Sequence, residues 1–218
     1  ILGGTGDLGT GLARRWAQAG YEVIIGSRTQ DKAEAAVADL REVMAERGVA
    51  TISVRAMENQ AAAEAADIVT LTVPFSHQAS TLELVKPALQ GKILIDVTVP
   101  LVPPKVARVQ LPPQGSAGQI AQELLGEDVD VVSAFQNVAA AHLQEGRGLD
   151  CDVLVCGNKK AARDEVIKLV EAAGMRGFHA GMINNAAAAE ALTSVLITIN
   201  KQYGCHAGIK ISGLDDAH

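Results

Sequence analysis

Six residues close to the start of the chain have the types and spacing to hold a diphosphate. Gly4-Thr5-Gly6-Asp7-Leu8-Gly9 fits the pattern GxGxxG. In that pattern the first glycine permits a tight turn, the second lets a pyrophosphate approach the backbone, and the third lets a helix pack closely on a strand. The N–H groups at the start of the helix then point at the phosphates. The pattern therefore predicts a dinucleotide site in which Gly4, Gly6 and Gly9 each have a separate task.

The end of the second predicted strand, residues 21–26, is the position that distinguishes NAD from NADP. NAD-selective sites place a carboxylate there to bind the ribose hydroxyls. This chain has Ser27 and Arg28, with Lys32 one helical turn further. A hydroxyl, a guanidinium and an ammonium group suit a phosphate, so we predict NADP. The alternative is that both cations are solvated surface charges, and we interpret Asp31, with Glu34 three residues on, as a helix cap.

Further candidate residues follow the later strands of the pattern. Val73-Pro74-Phe75 closes the fourth predicted strand and His77 comes just after it. In a doubly wound sheet this edge runs along the cofactor toward the nicotinamide. His77 is either a ribose or phosphate contact or an exposed residue at a helix start. Thr98 and Asn137, after the fifth and sixth strands, are either ligand contacts or turn caps.

The sequence contains no constellation for acid–base or metal chemistry. It has no GxSxG or HExxH motif, and its three cysteines form no CxxC pair. We therefore predict that no catalytic acid or base is required and that no metal binds. Reduction of a carbonyl usually needs a proton donor, whereas hydride exchange between two redox cofactors mainly needs their rings held in contact. The absence of such residues favours the second kind of reaction.

The elements that must position these residues alternate between strand and helix. Six apolar strand patterns separated by helical patterns predict right-handed βαβ units in a Rossmann-type, doubly wound parallel sheet. After residue 135 the pattern is less regular and ends in a long helix over 186–203. We predict an NADP-binding domain over 1–135 and a smaller C-terminal α/β domain over 136–218, which completes the substrate cleft and forms a dimer interface. Since the first strand has only Ile1 and Leu2, we expect its upstream end to be absent.

Composition excludes several classes of partner. The net charge is −6, with 48% hydrophobic and 20% charged residues, so there is no basic footprint for nucleic acid. No apolar run approaches the roughly 18 residues of a membrane span. No leader pattern opens the chain. We expect a cytoplasmic protein whose partners are small molecules.

The motifs together resemble one family, the NADPH-dependent coenzyme F420 reductases, also called F420:NADP oxidoreductases. The likeness runs the full length of the chain, and its segments are ILGGTGDLGTGLA, GSR, LTVPFSH, GKILIDVTVPL, VVSAF, DVLVCG and AEALTSVLITIN…HAGIKISGL. The resemblance implies a homodimer that transfers hydride directly between NADP(H) and the 8-hydroxy-5-deazaflavin ring of F420, its co-substrate.

The resemblance also implies which residues line each half of the site. It adds Thr5, Asp7, Leu8, Val73 and Pro74 to the NADP site, together with the positions named above. The residues implied to face the deazaflavin are Pro100, Leu101, Gln136, Asn137, Ala207, Gly208 and Ile209.

One departure from the family pattern concerns the second substrate and leaves the prediction of NADP binding intact. After the sixth strand the family usually carries histidine, where this chain has Gln136-Asn137. Two alternative functions therefore remain open: a related NADPH-dependent reductase of a flavin or cyclic imine, and a non-catalytic NADP-binding regulator.

Overall fold

The computed structural model describes residues 1–49, 51–145 and 149–213. In those residues strands and helices alternate as the pattern predicts. The strands are β1 (Val23–Ser27), β2 (Val54–Glu58), β3 (Ile68–Leu71), β4 (Ile93–Asp96), β5 (Asp130–Ser133), β6 (Asp152–Gly157) and β7 (Arg176–His179). The helices are α1 (Asp7–Gln18), α2 (Gln30–Glu46), α3 (Asn59–Ala65), α4 (Gln78–Leu89), α5 (Ala117–Leu125), α6 (Ala140–Gln144), α7 (Lys160–Ala172) and α8 (Ala186–Tyr203).

Ile1 and Leu2 join the strands into one sheet. Strands β1 and β2 pair in parallel, and β3, β4 and β5 form a second parallel group. The two groups meet across residues 1–2: the Gly26 N–H donates to the Ile1 carbonyl at 2.7 Å and the Leu2 N–H donates to the Thr70 carbonyl at 2.8 Å. The order is therefore β2, β1, the Leu2 segment, β3, β4, β5, which confirms the predicted doubly wound sheet.

Short apolar strands become buried on both faces because helices cover each side of the sheet. Strand β4 shows this: Ile95 packs into the cluster formed by α1, α2 and α7, while Leu94 packs into the cluster formed by α3, α4 and α5. Parallel strands connected by helices are covered in this way. Among the described residues, no helix is both long and apolar enough to cross a bilayer.

The chain after residue 135 continues the same sheet. Strand β6 pairs antiparallel with β5, and β7 pairs parallel with β6. The division into domains at 135 stays a prediction, although the sheet and core run across it: Val153 and Val166 belong to the cluster that contains Trp16. Helix α8 has the predicted bounds, 186–203.

A buried carboxylate fastens the C-terminal tail to this part of the sheet. Asp152 is 1% exposed, and its oxygens accept hydrogen bonds from Arg176 at 2.9 Å and from the Ile211 N–H at 2.6 Å. Its own N–H donates to the Ile209 carbonyl at 2.9 Å. Burial alone would raise the pKa of Asp152, but the hydrogen bonds and charge of Arg176 outweigh burial and hold that pKa below its usual value.

One local prediction was wrong. The capping box at Asp31 would start α2 after that residue, but the structure begins the helix at Gln30 with Thr29 as its N-cap. Asp31 lies in the first turn, where a carboxylate stabilises the helix through the dipole without accepting a capping hydrogen bond.

Candidate functional site

The glycine loop has the close contacts that its pattern predicts. The Gly4 N–H donates to the Gly26 carbonyl at 2.9 Å, which ties the loop to β1. A Cβ on Gly9 would lie 2.7 Å from the Cα of Gly4, so α1 and the loop that precedes it approach each other through two glycines. A Cβ on Gly6 would meet nothing within 4 Å. The open space at Gly6, the N-cap of α1, is available to a ligand phosphate.

Residues from the loop, β1 and β3 surround one cavity of about 440 Å³, which we call the nucleotide cavity. The structure brings eight of the predicted NADP residues to its wall: Thr5, Gly6, Ser27, Arg28, Lys32, Val73, Pro74 and His77. The other five lie beside it. Gly4 lies in the turn, Asp7, Leu8 and Gly9 lie in the first turn of α1, and Phe75 begins a 3-10 turn.

The nucleotide cavity carries positive charge next to the end of β1. Ser27 is buried, with 5% of its surface exposed, whereas Arg28 and Lys32 are exposed. Within the described ranges neither cation forms an ion pair with a carboxylate. Two unpaired cations beside a buried hydroxyl can bind a phosphate without first breaking an internal contact.

Sequence reasoning missed five residues of the cavity wall: Gly3, Asn59, Thr72, Ser80 and Thr81. Asn59 is the most informative because it is buried and its Oδ1 accepts a hydrogen bond from the Gly3 N–H at 3.2 Å. A Cβ on Gly26 would lie 2.9 Å from that oxygen, so a glycine at the end of β1 leaves room for the asparagine. An asparagine directly after a strand was the available signal, but its partner lies 56 residues away.

The residues expected to face the deazaflavin fall into two separate places. Asn137, Ala207 and Gly208 line a pocket of about 460 Å³, which we call the second pocket. Pro100 and Leu101 instead pack against α8, where a gap of about 10 Å³ remains. They begin residues 100–113, which we call the strap because it lies along α8 and is tied to that helix by hydrogen bonds from two α8 hydroxyls, those of Ser194 and Thr198.

Gln136 and Ile209 have structural contacts of their own. Gln136 is 8% exposed, and its amide donates to the Asp96 carbonyl at 2.9 Å and to the Ser133 hydroxyl oxygen at 2.8 Å. Ile209 pairs through its carbonyl with β6, as described above. Phe135, just before Gln136, has a backbone φ of 72°, which residues other than glycine rarely adopt. Its ring meets that of Trp16 edge to face, with 6.0 Å between the ring centroids. This turn directs Gln136 inward.

The second pocket also contains residues that the sequence did not single out. The Asn137 side chain donates to the Asp152 carbonyl at 2.8 Å, which fixes it against the start of β6. His142 and His206 meet edge to face with 5.2 Å between ring centroids. These two histidines lie 64 positions apart, so only the fold brings them together.

Gln144 links the second pocket to the glycine loop. It ends α6, which carries His142 into the second pocket, and its amide donates to the Asp7 carbonyl at 2.7 Å and to Thr10 Oγ1 at 2.9 Å. Arg15 adds hydrogen bonds to the carbonyls of Leu143 and His142. Helix α6, which lines the second pocket, is thereby held against the start of α1, next to the glycine loop.

Comparison with known proteins identifies the family of this chain. Residues 1–100 match the model of the family described as NADP oxidoreductase, coenzyme F420-dependent. The F420-dependent NADP reductase of Methanocaldococcus jannaschii is 40% identical over 221 residues, which cover 99% of this chain and 98% of that protein. The enzyme of the same name from Methanothermobacter marburgensis is also 40% identical, over 99% of this chain and 98% of its own length.

A solved structure agrees with these relatives. A candidate F420-dependent NADP reductase from Arthrobacter sp. FB24 superposes with a TM-score of 0.79 at 28% identity, covering 95% of this chain and 96% of that one. The shared fold therefore extends well beyond residues 1–100, the part that matches the family model.

Two glycine substitutions should separate ligand binding from folding. Gly6→Ala adds a methyl group where the free protein has open space, so we expect only the loss of roughly 0.5–1 kcal/mol that alanine costs relative to glycine at an N-cap. The same methyl should obstruct the pyrophosphate and weaken NADPH binding by about tenfold or more, equivalent to about 1.4 kcal/mol. NADPH fluorescence titration and a melting curve measure the two effects.

Gly9→Ala is the matched comparison. Its methyl meets the Gly4 backbone, so it should lower the free energy of unfolding by roughly 1–3 kcal/mol even without ligand. If Gly6→Ala bound NADPH like the wild type, the assigned pyrophosphate position would be wrong.

Proposed function

The chain belongs to the family of F420-dependent NADP reductases, which makes it an oxidoreductase of NADP and coenzyme F420, and we propose that it passes a hydride directly between the two. The observation that carries the proposal is the nucleotide cavity, in which the glycine loop meets Ser27, Arg28 and Lys32. Relatives 40% identical over nearly the full length support the same reaction.

In this proposal NADP lies along the carboxyl edge of the sheet. The pyrophosphate contacts Gly6 and the start of α1, where the helix dipole favours negative charge. Arg28 and Lys32 hold the 2′-phosphate, with Ser27 donating a hydrogen bond. Val73, Pro74 and His77 then guide the nicotinamide half toward the ends of β4 and β5. The donor set fits NADP because two unpaired cations match the additional phosphate.

The deazaflavin is proposed to approach from the second pocket. Asn137, Ala207 and Gly208 would form its wall, and His142 and His206 would offer ring N–H donors to a polar ligand. Roles for Pro100, Leu101, Gln136 and Ile209 stay predictions. When bound, NADPH supplies the hydride, so the chain's task is to hold two rings in contact and exclude water.

We further propose that the protein is a homodimer formed through α8 and the strap. Ala188, Leu192, Val195 and Ile199 follow one another at helical spacing, and each is at least partly exposed. The strap adds exposed apolar residues on the same side of the molecule: Val102 at 46%, Val109 at 48% and Leu111 at 53%. An apolar patch of this kind on a surface is typical of a protein interface. A cytoplasmic location stays a prediction from the sequence.

The reaction is tested by mixing the protein with NADPH and oxidised F420. We expect the deazaflavin absorbance to bleach with a matching loss of NADPH. FMN in place of F420 is the control acceptor, and it should react much more slowly. Turnover of FMN without bleaching of F420 would contradict the proposed acceptor, and no turnover with either would favour a binding protein without catalysis.

Arg28→Ala tests the assignment of the 2′-phosphate. Losing one charge-assisted hydrogen bond should weaken NADPH binding by roughly 1–3 kcal/mol and leave NADH nearly unaffected. Arg55→Ala is the matched control, since Arg55 is exposed and pairs with Glu22 at the opposite end of the strands. Equal losses for NADPH and NADH would refute the phosphate role.

Light scattering tests the dimer. The wild type should have twice the 22.7 kDa mass of one chain. Val195→Glu places a charge in the α8 stripe and should give monomers because burying an unpaired carboxylate is costly. Leu84→Glu changes a residue on α4 that is 56% exposed and should leave the dimer intact. A monomeric wild type, or a dimeric Val195→Glu, would place the interface elsewhere or remove it.

A further inference from the structure

Two carboxyl groups are buried beneath the edge of the sheet at which NADP is proposed to bind. Asp96, the last residue of β4, has no exposed surface, and Glu190, on α8, is 1% exposed. In the described part of the chain neither carboxyl forms an ion pair. Something other than a cation must therefore make the burial of both groups tolerable, because ionising both would place two uncompensated charges in the core.

Hydrogen bonds connect Asp96 to three elements. Its Oδ1 accepts from the Thr98 N–H at 2.9 Å, just beyond β4. Its Oδ2 accepts from the amide of Gln78 at 2.5 Å, and that amide also donates to the Ala117 carbonyl at 2.9 Å. Gln78 begins α4 and follows His77, which lines the nucleotide cavity. Asp96 therefore joins β4, the start of α4 and the start of α5.

Glu190 reaches the same peptide group from the other side. Its carboxylate accepts from the Ala117 N–H at 2.7 Å and from the Gly118 N–H at 3.0 Å, so α8 caps the N-terminus of α5. The hydroxyl of Ser133, at the end of β5, also faces Glu190 and acts to lower the pKa of that carboxyl, and Ser133 accepts a hydrogen bond from Gln136. Glu190 thus links α8 to α5 and to the end of β5.

The groups that face Glu190 make a second negative charge unfavourable. Asp96 faces it from β4 and Cys156 from β6, and burial raises the pKa of Cys156 to about 11, so the thiol stays neutral. Helix α5 contributes two backbone N–H groups and β5 a hydroxyl. The strap contributes Gln110 and apolar side chains. Among these groups of the described residues there is no cation that offsets the negative charge of Asp96.

We propose that Asp96 and Glu190 hold one proton between them at neutral pH and that this proton positions the ends of β4 and β5 for hydride transfer. Both are positioning residues, since neither lines the nucleotide cavity or the second pocket. With the proton bound, Glu190 is neutral and Asp96 carries the single negative charge, which the Thr98 N–H and the Gln78 amide stabilise. Loss of the proton leaves two like charges on either side of Ala117, which drives α8 and α5 away from β4.

The pKa directions agree with this arrangement. Burial, with the charge of Asp96 as a smaller cause, raises the pKa of Glu190 to about 8 against the opposing backbone hydrogen bonds. Burial raises the pKa of Asp96 to about 6. Between its ordinary pKa of 4.5 and a folded value of about 8, Glu190 binds more protons in the folded chain than in the unfolded one. Stability from this group is therefore complete below the ordinary pKa and is lost as pH rises through the folded value.

The test combines spectroscopy and melting, neither of which needs F420. In the wild type, infrared absorption of a protonated carboxyl should persist past neutral pH and disappear with a midpoint near pH 8. The melting temperature should fall as pH rises from about 4.5 to about 8, by on the order of 10 °C, and should level off above that pH. Glu190→Gln should remove both changes, whereas Glu123→Gln, an exposed residue of α5, should preserve them.

Asp96→Asn provides a second, independent variant. Removing the neighbouring charge should lower the pKa of Glu190, so the infrared and melting transitions should move to lower pH. If Glu190→Gln fails to fold, this shift and the wild-type spectrum still decide the matter. Absence of a protonated carboxyl signal above pH 6 would overturn the proposal.

The positioning role rests on the proposed hydride transfer, and it has its own readout. In the wild type kcat should fall as pH rises through about 8, and in Glu190→Gln that break should vanish, while KM for NADPH stays unchanged in both. A kcat break that survives in Glu190→Gln would refute the role even if the proton is present. Failure of the reaction itself would appear as no bleaching at any pH, with the infrared transition intact.

Discussion

Hydrogen bonds from Ile1 and Leu2 to β1 on one side and to β3 on the other make one sheet out of two. The glycine loop follows directly, so its position is set by the same bonds. The carbonyl of Ile1 also lies 3.1 Å from where a Cβ on Gly26 would be, and this crowding requires glycine at that point of β1. The nucleotide cavity, the end of β1 with its cations and the end of β3 all take their spacing from this short central segment.

The nucleotide half could be predicted from the sequence because its determinants are local. The glycine spacing, and the Ser27-Arg28 pair after an apolar strand, carry their meaning within a few residues. Asn59 was missed for the opposite reason, since its function depends on contact with Gly3, which no local pattern reports. Asp31 was misassigned because a carboxylate in a first helical turn and a capping carboxylate look alike in a sequence.

The residues predicted to face the deazaflavin do not gather in one place, and the reason is physical. Pro100, Leu101 and Asn137 all follow strand ends, and strand ends meet at one edge of a parallel sheet. The strap, however, turns away from that edge to pack on α8, and Pro100 and Leu101 go with it. Glu190 illustrates the same limit: in a helical pattern a glutamate is normally exposed, and only the neighbouring α5 shows why this one is buried.

Because β6 runs antiparallel to β5, it brings a different part of the chain to the edge at which β3, β4 and β5 end. A further parallel strand would present its end there, but the antiparallel β6 presents its beginning. Cys151, the start of β6 and the tail paired with it therefore gather beside Asn137. The two cavities are therefore built from distant parts of the sequence. Mutations can accumulate in the later part and change the acceptor while the earlier part continues to bind the same nucleotide, which gives this architecture a simple route to divergence among reductases.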